Sequence, residues 1–295
     1  MYALGLELIK SLQTLDHPVA DFILGLMTNT IYVYIPFTAF VFWCIDEKKG
    51  VRLGLLLLIS AEFNGICKNL LKLPRPYNLD PTVGRGEAAG FGMPSGHAQL
   101  SLTFGLGVAV GLKAQAHRFK VLLWTGAIGY SFIVGFTRLY LGLHFPTDLI
   151  GGWLLGGIIL GGYFFGEKYA VKLLNQGGLR GQLIALSLIA LGMNALGGDK
   201  DLSGGFLGFA GGYSLLINRR PFSAQASTFM NLVIRFIIGL TGMFIIFWTL
   251  TLLFKGLSQY DLGRFVRSGA VGLWTTGGAP LVFMRLGLAE AQKDA

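Results

Sequence analysis

The sequence predicts an all-α integral membrane protein: a polytopic helical bundle of about nine transmembrane helices (range roughly 7–9), preceded by an amphipathic helix on the interface. Three observations predict it. Hydrophobic residues make up 53% of the 295-residue chain and charged residues only 13%, about half the charged share of a soluble domain. Apolar runs of roughly 17–25 residues recur, each able to cross a bilayer core, where a helix satisfies its own backbone. The basic residues fall in short loops between those runs, the pattern of charges that fix topology.

The elements follow in order. Residues 1–17 lack the basic start and small-residue cleavage site of a secretory signal. Leu4, Leu8, Leu12 and Leu15 recur at helical spacing, so this stretch reads as an amphipathic helix lying on the interface. Spans are expected at 18–45, 51–73, 95–112, 121–140, 146–165, 181–197, 204–218, 229–254 and 269–286. The first has room for a break near Asn29. Residues 18–165 form the expected membrane core, which carries the polar clusters described below, and 166–295 add further transmembrane helices. Glycine pairs in GGWLLGGIILGG and GGFLGFAGG give small-xxx-small spacings, such as Gly152 to Gly156 and Gly204 to Gly208, that let helices of one chain approach closely. Cys44 and Cys67 fall near opposite ends of adjacent spans, which disfavours a disulfide. Glu62, Asn64 and Arg235 lie inside spans and need partners that sequence does not name.

Most connections are short, as in DEKKG, KAQAHRFK and NRRPFSAQ, and these carry basic residues, Lys113 among them; Lys293 marks the same side at the C-terminus. That side is expected to be cytoplasmic. Residues 74–94 differ, holding four prolines and a cluster of glycines on the opposite side. A loop of that kind carries function. The expected location is a bacterial inner (plasma) membrane, with this loop and the site facing the periplasm or exterior. The net charge of +9 does not indicate nucleic acid, because no basic, aromatic-interleaved patch tracks a phosphate backbone. The expected partners include membrane lipids; nothing in the sequence sets an oligomeric state.

Three polar clusters fall at span ends on that outer side: Lys68 with Arg75 and Pro76, the run Pro94–Ser95–Gly96–His97, and Arg138 with His144 and Asp148. Singly, each has a plain explanation: snorkelling lysines, an N-cap serine, an aspartate closing a helix turn. Together, Lys68, Lys72, Arg75 and Arg138 make a group of cations with few acidic neighbours at a low-dielectric boundary, which calls for an anion. Arginine forks match phosphate oxygens, and Ser95 and Gly96 start a helix whose N–H groups favour the same ligand. His144 and Asp148, four apart at a helix start, share one face. The carboxylate can hold one ring nitrogen and leave the other to attack phosphorus. His97 can protonate the leaving oxygen. Paired histidines suggest a metal, but Asp148 alone is too few acidic ligands; no metal and no cofactor are expected.

The pattern KxxxxxxRP, PSGH and RxxxxxHxxxD, here Lys68–Arg75–Pro76, Pro94–Ser95–Gly96–His97 and Arg138–His144–Asp148, resembles the type 2 phosphatidic acid phosphatase superfamily over about residues 50–165. Thr137 stands where that family usually has serine, and keeps the hydroxyl. The resemblance implies a helical bundle with His144 as the phosphohistidine nucleophile and His97 as the proton donor. Lys68, Arg75, Ser95, Gly96 and Arg138 would hold the phosphate, with Lys72 and Thr137 as secondary candidates. The expected reaction is metal-independent hydrolysis of a lipid phosphomonoester or diphosphate: undecaprenyl diphosphate, phosphatidic acid, phosphatidylglycerophosphate or a sphingoid phosphate. Two rival readings are a phosphotransferase passing the group to a lipid or sugar acceptor, and an anion transporter. Against the latter, the polar residues gather on one side.

Overall fold

The computed structural model describes residues 2–14, 24, 26–27, 31–111, 117–225, 228–255 and 260–291. The break expected near Asn29 and the loop residues Lys113 and Lys293 lie outside them. Among the described residues the chain is helical, with one isolated bridge between Phe222 and Ala291. The helices are α1 (Tyr2–Gln13), α2 (Ile31–Phe40, continued by a π turn Val41–Ile45), α3 (Glu47–Leu71), the single turn α4 (Pro76–Leu79), α5 (Gly96–Gly111), α6 (His117–Tyr140), α7 (Pro146–Gln176), α8 (Gly178–Ala195), α9 (Lys200–Arg219), α10 (Phe229–Phe254), α11 (Tyr260–Leu273) and α12 (Ala279–Arg285).

Among the described residues, five segments are long and apolar enough to cross a membrane: Glu47–Leu79, Arg118–Tyr140, Pro146–Gln176, Gly178–Ala195 and Phe229–Phe254. The expected count of nine is not established. The segments expected at 95–112, 204–218 and 269–286 are helical, but each lacks either the length or the apolar composition; the last is split by a π turn, Trp274–Gly278, between α11 and α12.

The chain divides into two compact units, Met1–Tyr34 with Phe63–Tyr163, and Ile35–Glu62 with Phe164–Ala295. In the first, α5 lies against α6 where a Cβ on Gly105 would come 3.0 Å from that of Ala127. Ser101 and Ser131 share a 2.9 Å hydrogen bond, and the Trp153 indole on α7 donates to the same Ser131 at 2.9 Å. The α7 glycines face residues 93–99: a Cβ on Gly151 would meet Met93, one on Gly152 the Ser95 carbonyl, one on Gly156 the Gln99 backbone. Small residues here serve close packing within the chain.

α1 belongs to this unit and packs on it through the face opposite its leucines. Its buried residues are Gly5, Ile9 and Gln13, while Leu4 and Leu8 are 73% and 43% exposed. Ile9 packs with Val83 and Phe145. Gln13 donates to the carbonyls of Val83 and Tyr140 at 2.8 and 2.7 Å, and Lys10 pairs with Asp80 at 2.7 Å. Leu4 and Leu8 are left on the exposed face, and Leu15 lies outside the described residues.

In the second unit, Gly204 and Gly208 of α9 admit the backbone of α11 at Phe265 and Gly269. Asp201 accepts from Arg264, Arg267 and Ser268. Arg235, whose partners sequence does not name, is buried and donates to the carbonyls of Leu288, Trp43 and Ala224 at 2.8, 3.2 and 2.8 Å. Ionic burial is affordable because carbonyl dipoles replace water. Both carboxylate oxygens of buried Glu62 lack a hydrogen-bond partner among the described residues.

Candidate active site

The site lies in the first unit and begins where α6 ends. Gly142 turns the chain with φ 64°, and a Cβ there would strike the Val83 carbonyl, so glycine is required twice over. The N–H groups of Leu143 and His144 fold back onto the Arg138 carbonyl at 3.0 and 3.3 Å. Pro146 then opens α7 in the first-turn position that needs no N–H donor. Asp148 sits in that turn. Its Oδ2 accepts the Phe145 N–H at 2.9 Å, the reach-back of a capping box, and lies 3.3 Å from His144 Nδ1. One carboxylate therefore caps the helix and orients the histidine. Both side chains are 4% exposed.

Arg75 fixes the histidine's tautomer. Its Nη1 stands 3.2 Å from His144 Nε2, and a guanidinium has only donors. Nε2 must accept, so the ring proton sits on Nδ1 and faces Asp148. Burial, reinforced by the charges of Arg75, Lys68 and Arg138, holds the imidazole well below its ordinary pKa. His144 is thus neutral, with a lone pair aimed into a cationic pocket.

Arg138 is 2% exposed. Its Nε donates to Thr137 Oγ1 at 3.1 Å, and that hydroxyl donates to the Val134 carbonyl at 2.7 Å. Its Nη2 is buried with no hydrogen-bond partner among the described residues. A buried unsatisfied donor on a cation is costly, and a phosphate oxygen would satisfy it.

Successive carbonyls of the 88–94 segment are gripped from α3 and the turn after it. Tyr77 Oη donates to Ala88 at 2.7 Å, Arg75 to Ala89 and Gly90 at 2.8 and 2.9 Å, Lys68 Nζ to Phe91 and Gly92 at 2.7 and 3.0 Å, and Asn64 Nδ2 to Pro94 at 3.2 Å. Carbonyl oxygens thereby occupy the cationic donors where an anion's oxygens would sit. A cavity of about 590 Å³, lined by Tyr77, Pro81, Gly84, Gly86, Glu87, Ala88 and Ala89, adjoins this segment.

Ser95 is fully buried, and its N–H is taken by the Asp148 carbonyl at 2.9 Å. That bond ties the PSGH turn to the helix carrying Asp148, and the Ser95 hydroxyl caps the following helix by accepting the Ala98 N–H at 3.5 Å. Gly96 begins α5, and His97 follows it, half-buried in the first turn. Lys72 ends α3 in the left-handed region, φ 50°, with an exposed side chain; it lies outside the buried cluster. The structure brings His144, Asp148 and Arg75 into direct contact. It links Ser95 through Asp148, Lys68 through the loop carbonyls, and Arg138 through the His144 turn.

Sequence reasoning missed Asn64, Gln99 and Tyr77 as members of this framework. One signal was present: Asn64 and Lys68 are four apart, on one face of α3.

The chain matches the family model "PAP2 superfamily" over residues 49–170 and "PAP2 superfamily phosphatase, transmembrane extension" over 201–292. The second match reaches helices that the motifs leave out. Sphingosine-1-phosphate phosphatase 2 of Mus musculus is 30% identical over 124 residues, covering 41% of this chain and 35% of that protein. Undecaprenyl-diphosphatase of Sulfolobus acidocaldarius is 31% identical over 127 residues, covering 42% of this chain and 58% of its own. This chain thus spans about a third to three fifths of these relatives' length. A solved transmembrane PAP2 type phosphatidylglycerolphosphate phosphatase from Bacillus subtilis aligns at 20% identity and a TM-score of 0.47, over 58% of this chain and 86% of that one.

Proposed function

We propose, since the chain belongs to the PAP2 superfamily, that it is a membrane phosphatase that hydrolyses a lipid phosphomonoester or diphosphate through a phosphohistidine. The observation that carries this reading is His144 itself: Nδ1 held by Asp148, and unprotonated Nε2 facing a guanidinium.

Phosphate oxygens displace the loop carbonyls and draw the donors of Lys68, Arg75 and Arg138 onto themselves. Charge-assisted bonds of this kind are roughly twice as strong as neutral ones. Nε2 then attacks phosphorus in line as the bond to the leaving oxygen breaks. Asp148 stabilises the imidazolium that forms, and the cations stabilise charge on the equatorial oxygens. His97 gives its proton to the leaving oxygen, releasing the lipid alcohol or monophosphate. Water, deprotonated by the now neutral His97, attacks the phosphohistidine and frees inorganic phosphate and His144. No step calls for a metal ion.

Two features support a lipid substrate: the cluster lies at the ends of spanning segments, where a headgroup sits, and the named relatives act on a sphingoid phosphate and a polyprenyl diphosphate. The test is a phosphate-release screen of the purified protein over lipid and soluble phosphates, with chelator present and with lipid acceptors added in parallel. Release from a lipid phosphate in chelator is the expected result. Complete loss of activity with chelator overturns the metal-free route, and transfer to acceptors without phosphate release overturns hydrolysis.

A further inference from the structure

We infer that Asn64 is a positioning residue for the phosphate site, and that it sets the PSGH turn through the Pro94 carbonyl and the Gln99 side chain. The inference rests on reading the cluster as a phosphate site.

Asn64 lies inside α3 and is 6% exposed. A primary amide in a spanning helix is retained only where its hydrogen bonds are met. Its Nδ2 donates in two directions: to Gln99 Oε1 at 2.7 Å and to the Pro94 carbonyl at 3.2 Å. Gln99 is itself fully buried in the second turn of α5. The two bonds therefore clamp the chain on both sides of Ser95, Gly96 and His97. The other face of Asn64 presses on the same turn, since a Cβ built on Gly96 would lie 3.1 Å from Asn64 Oδ1. Glycine leaves room for the amide oxygen beside the backbone that must approach an anion.

Its place in the row of gripped carbonyls sets Asn64 apart. Between Tyr77 at one end and Asn64 at the other stand Arg75 and Lys68, the two cations that a phosphate would draw away. When they change partners, the segment from Ala89 to Gly92 loses its middle supports. The neutral donors at the two ends have no reason to leave. At the catalytic end that support is Asn64, one helical turn before Lys68. It keeps the turn fixed against α3 while Lys68 swings from carbonyl to phosphate. Preorganisation of this sort keeps the donors from relaxing at the moment of reaction.

The test compares wild type with Asn64→Leu and with the double variant Asn64→Leu/Gln99→Leu. Removing one partner strands a buried polar group, whereas replacing both with apolar groups of similar shape is close to neutral for folding. The double variant therefore relieves the stranded Gln99 side chain, leaves only the Pro94 carbonyl without its donor, and is the more stable of the two. The probe is inorganic phosphate as a competitive inhibitor of a soluble phosphomonoester, read beside KM, kcat and thermal unfolding. Wild type should hydrolyse the ester and be inhibited by phosphate. The double variant should unfold close to wild type yet show phosphate inhibition weakened about ten-fold, with KM raised to match and kcat lowered less, because the cradle has drifted while His144 and Asp148 have not. Wild-type phosphate affinity in a folded double variant overturns the role given to Asn64. Absence of hydrolysis and of phosphate binding in wild type overturns instead the reading of the site on which the inference rests.

Discussion

Gly152 faces the PSGH turn so closely that an added methyl has nowhere to go. A Cβ there would stand 2.5 Å from the Ser95 carbonyl oxygen, 3.2 Å from the Ala98 Cβ and 3.3 Å from the Gln99 amide nitrogen. Two of those neighbours are backbone atoms, which cannot rotate away. In Gly152→Ala the turn must move off α7, stretching the Ser95-to-Asp148 backbone bond of 2.9 Å. Overpacking costs about 1–3 kcal/mol, and the better helix propensity of alanine returns about 1 kcal/mol. The net change in stability is a loss of up to about 2 kcal/mol. The activity loss is larger, because a shift of about 1 Å in a positioning element can cost on the order of a hundred-fold. Gly157→Ala, on the same helix with nothing within 4 Å of its Cβ, is the control; it should gain about 0.5–1 kcal/mol and keep full activity. Thermal unfolding in detergent and phosphate release from one substrate read both quantities. A Gly152→Ala enzyme as stable and active as Gly157→Ala would refute the packing argument.

Asp148→Asn keeps the shape but loses the charge that holds the His144 tautomer; kcat should fall by about 10²–10⁴ while phosphate still inhibits, as steady-state kinetics will show. Thr137→Ser should act like wild type, whereas Thr137→Val removes the acceptor of Arg138 Nε and should raise KM about ten-fold, a difference read in parallel assays. The pKa of folded His144 lies below its ordinary value, so the unfolded chain takes up a proton near pH ~6.5 that the native state refuses. Stability is then lost as pH falls below that point, and the acid limb of kcat/KM lies there or lower; His144→Asn should remove its share of the stability slope in pH-dependent unfolding. Asp80 is held down to about 2 from an ordinary 3.8 by the Lys10 and Thr82 hydrogen bonds. The tie from α1 should therefore be complete above pH ~4 and lost as pH falls toward ~2, with limited proteolysis of α1 as the readout and Asp80→Asn releasing it at neutral pH.

The spanning helices and the three motifs were legible in the sequence for different reasons. Apolar length specifies a helix locally, so α3, α6, α7, α8 and α10 follow from composition. The motifs announce themselves because cations and histidines are expensive beside lipid. Membrane-crossing number was not legible, because glycine-rich segments such as α9 and the π-interrupted run from α11 to α12 are helical through tertiary packing rather than apolar length. The residues by which α1 packs on the protein were not legible for a related reason. Its leucines form the more hydrophobic stripe, yet Gly5, Ile9 and Gln13 are the residues shaped to fit Phe145, Val83 and the carbonyl of Tyr140. Asn64 stood out as a polar residue inside a span, but its role and that of Tyr77 depend on which carbonyls a distant loop presents, and no local pattern encodes that.

The central claim, a covalent phosphoryl group on His144, is tested most directly by acid-free trapping of the phosphoenzyme from a radiolabelled substrate, followed by peptide mapping. The account predicts a label that is acid-labile and base-stable, located on His144, abolished in His144→Ala, and longer-lived in His97→Ala when a good leaving group lets the first step proceed. Phosphate released at full rate by His144→Ala, or a label on any other residue, would contradict it.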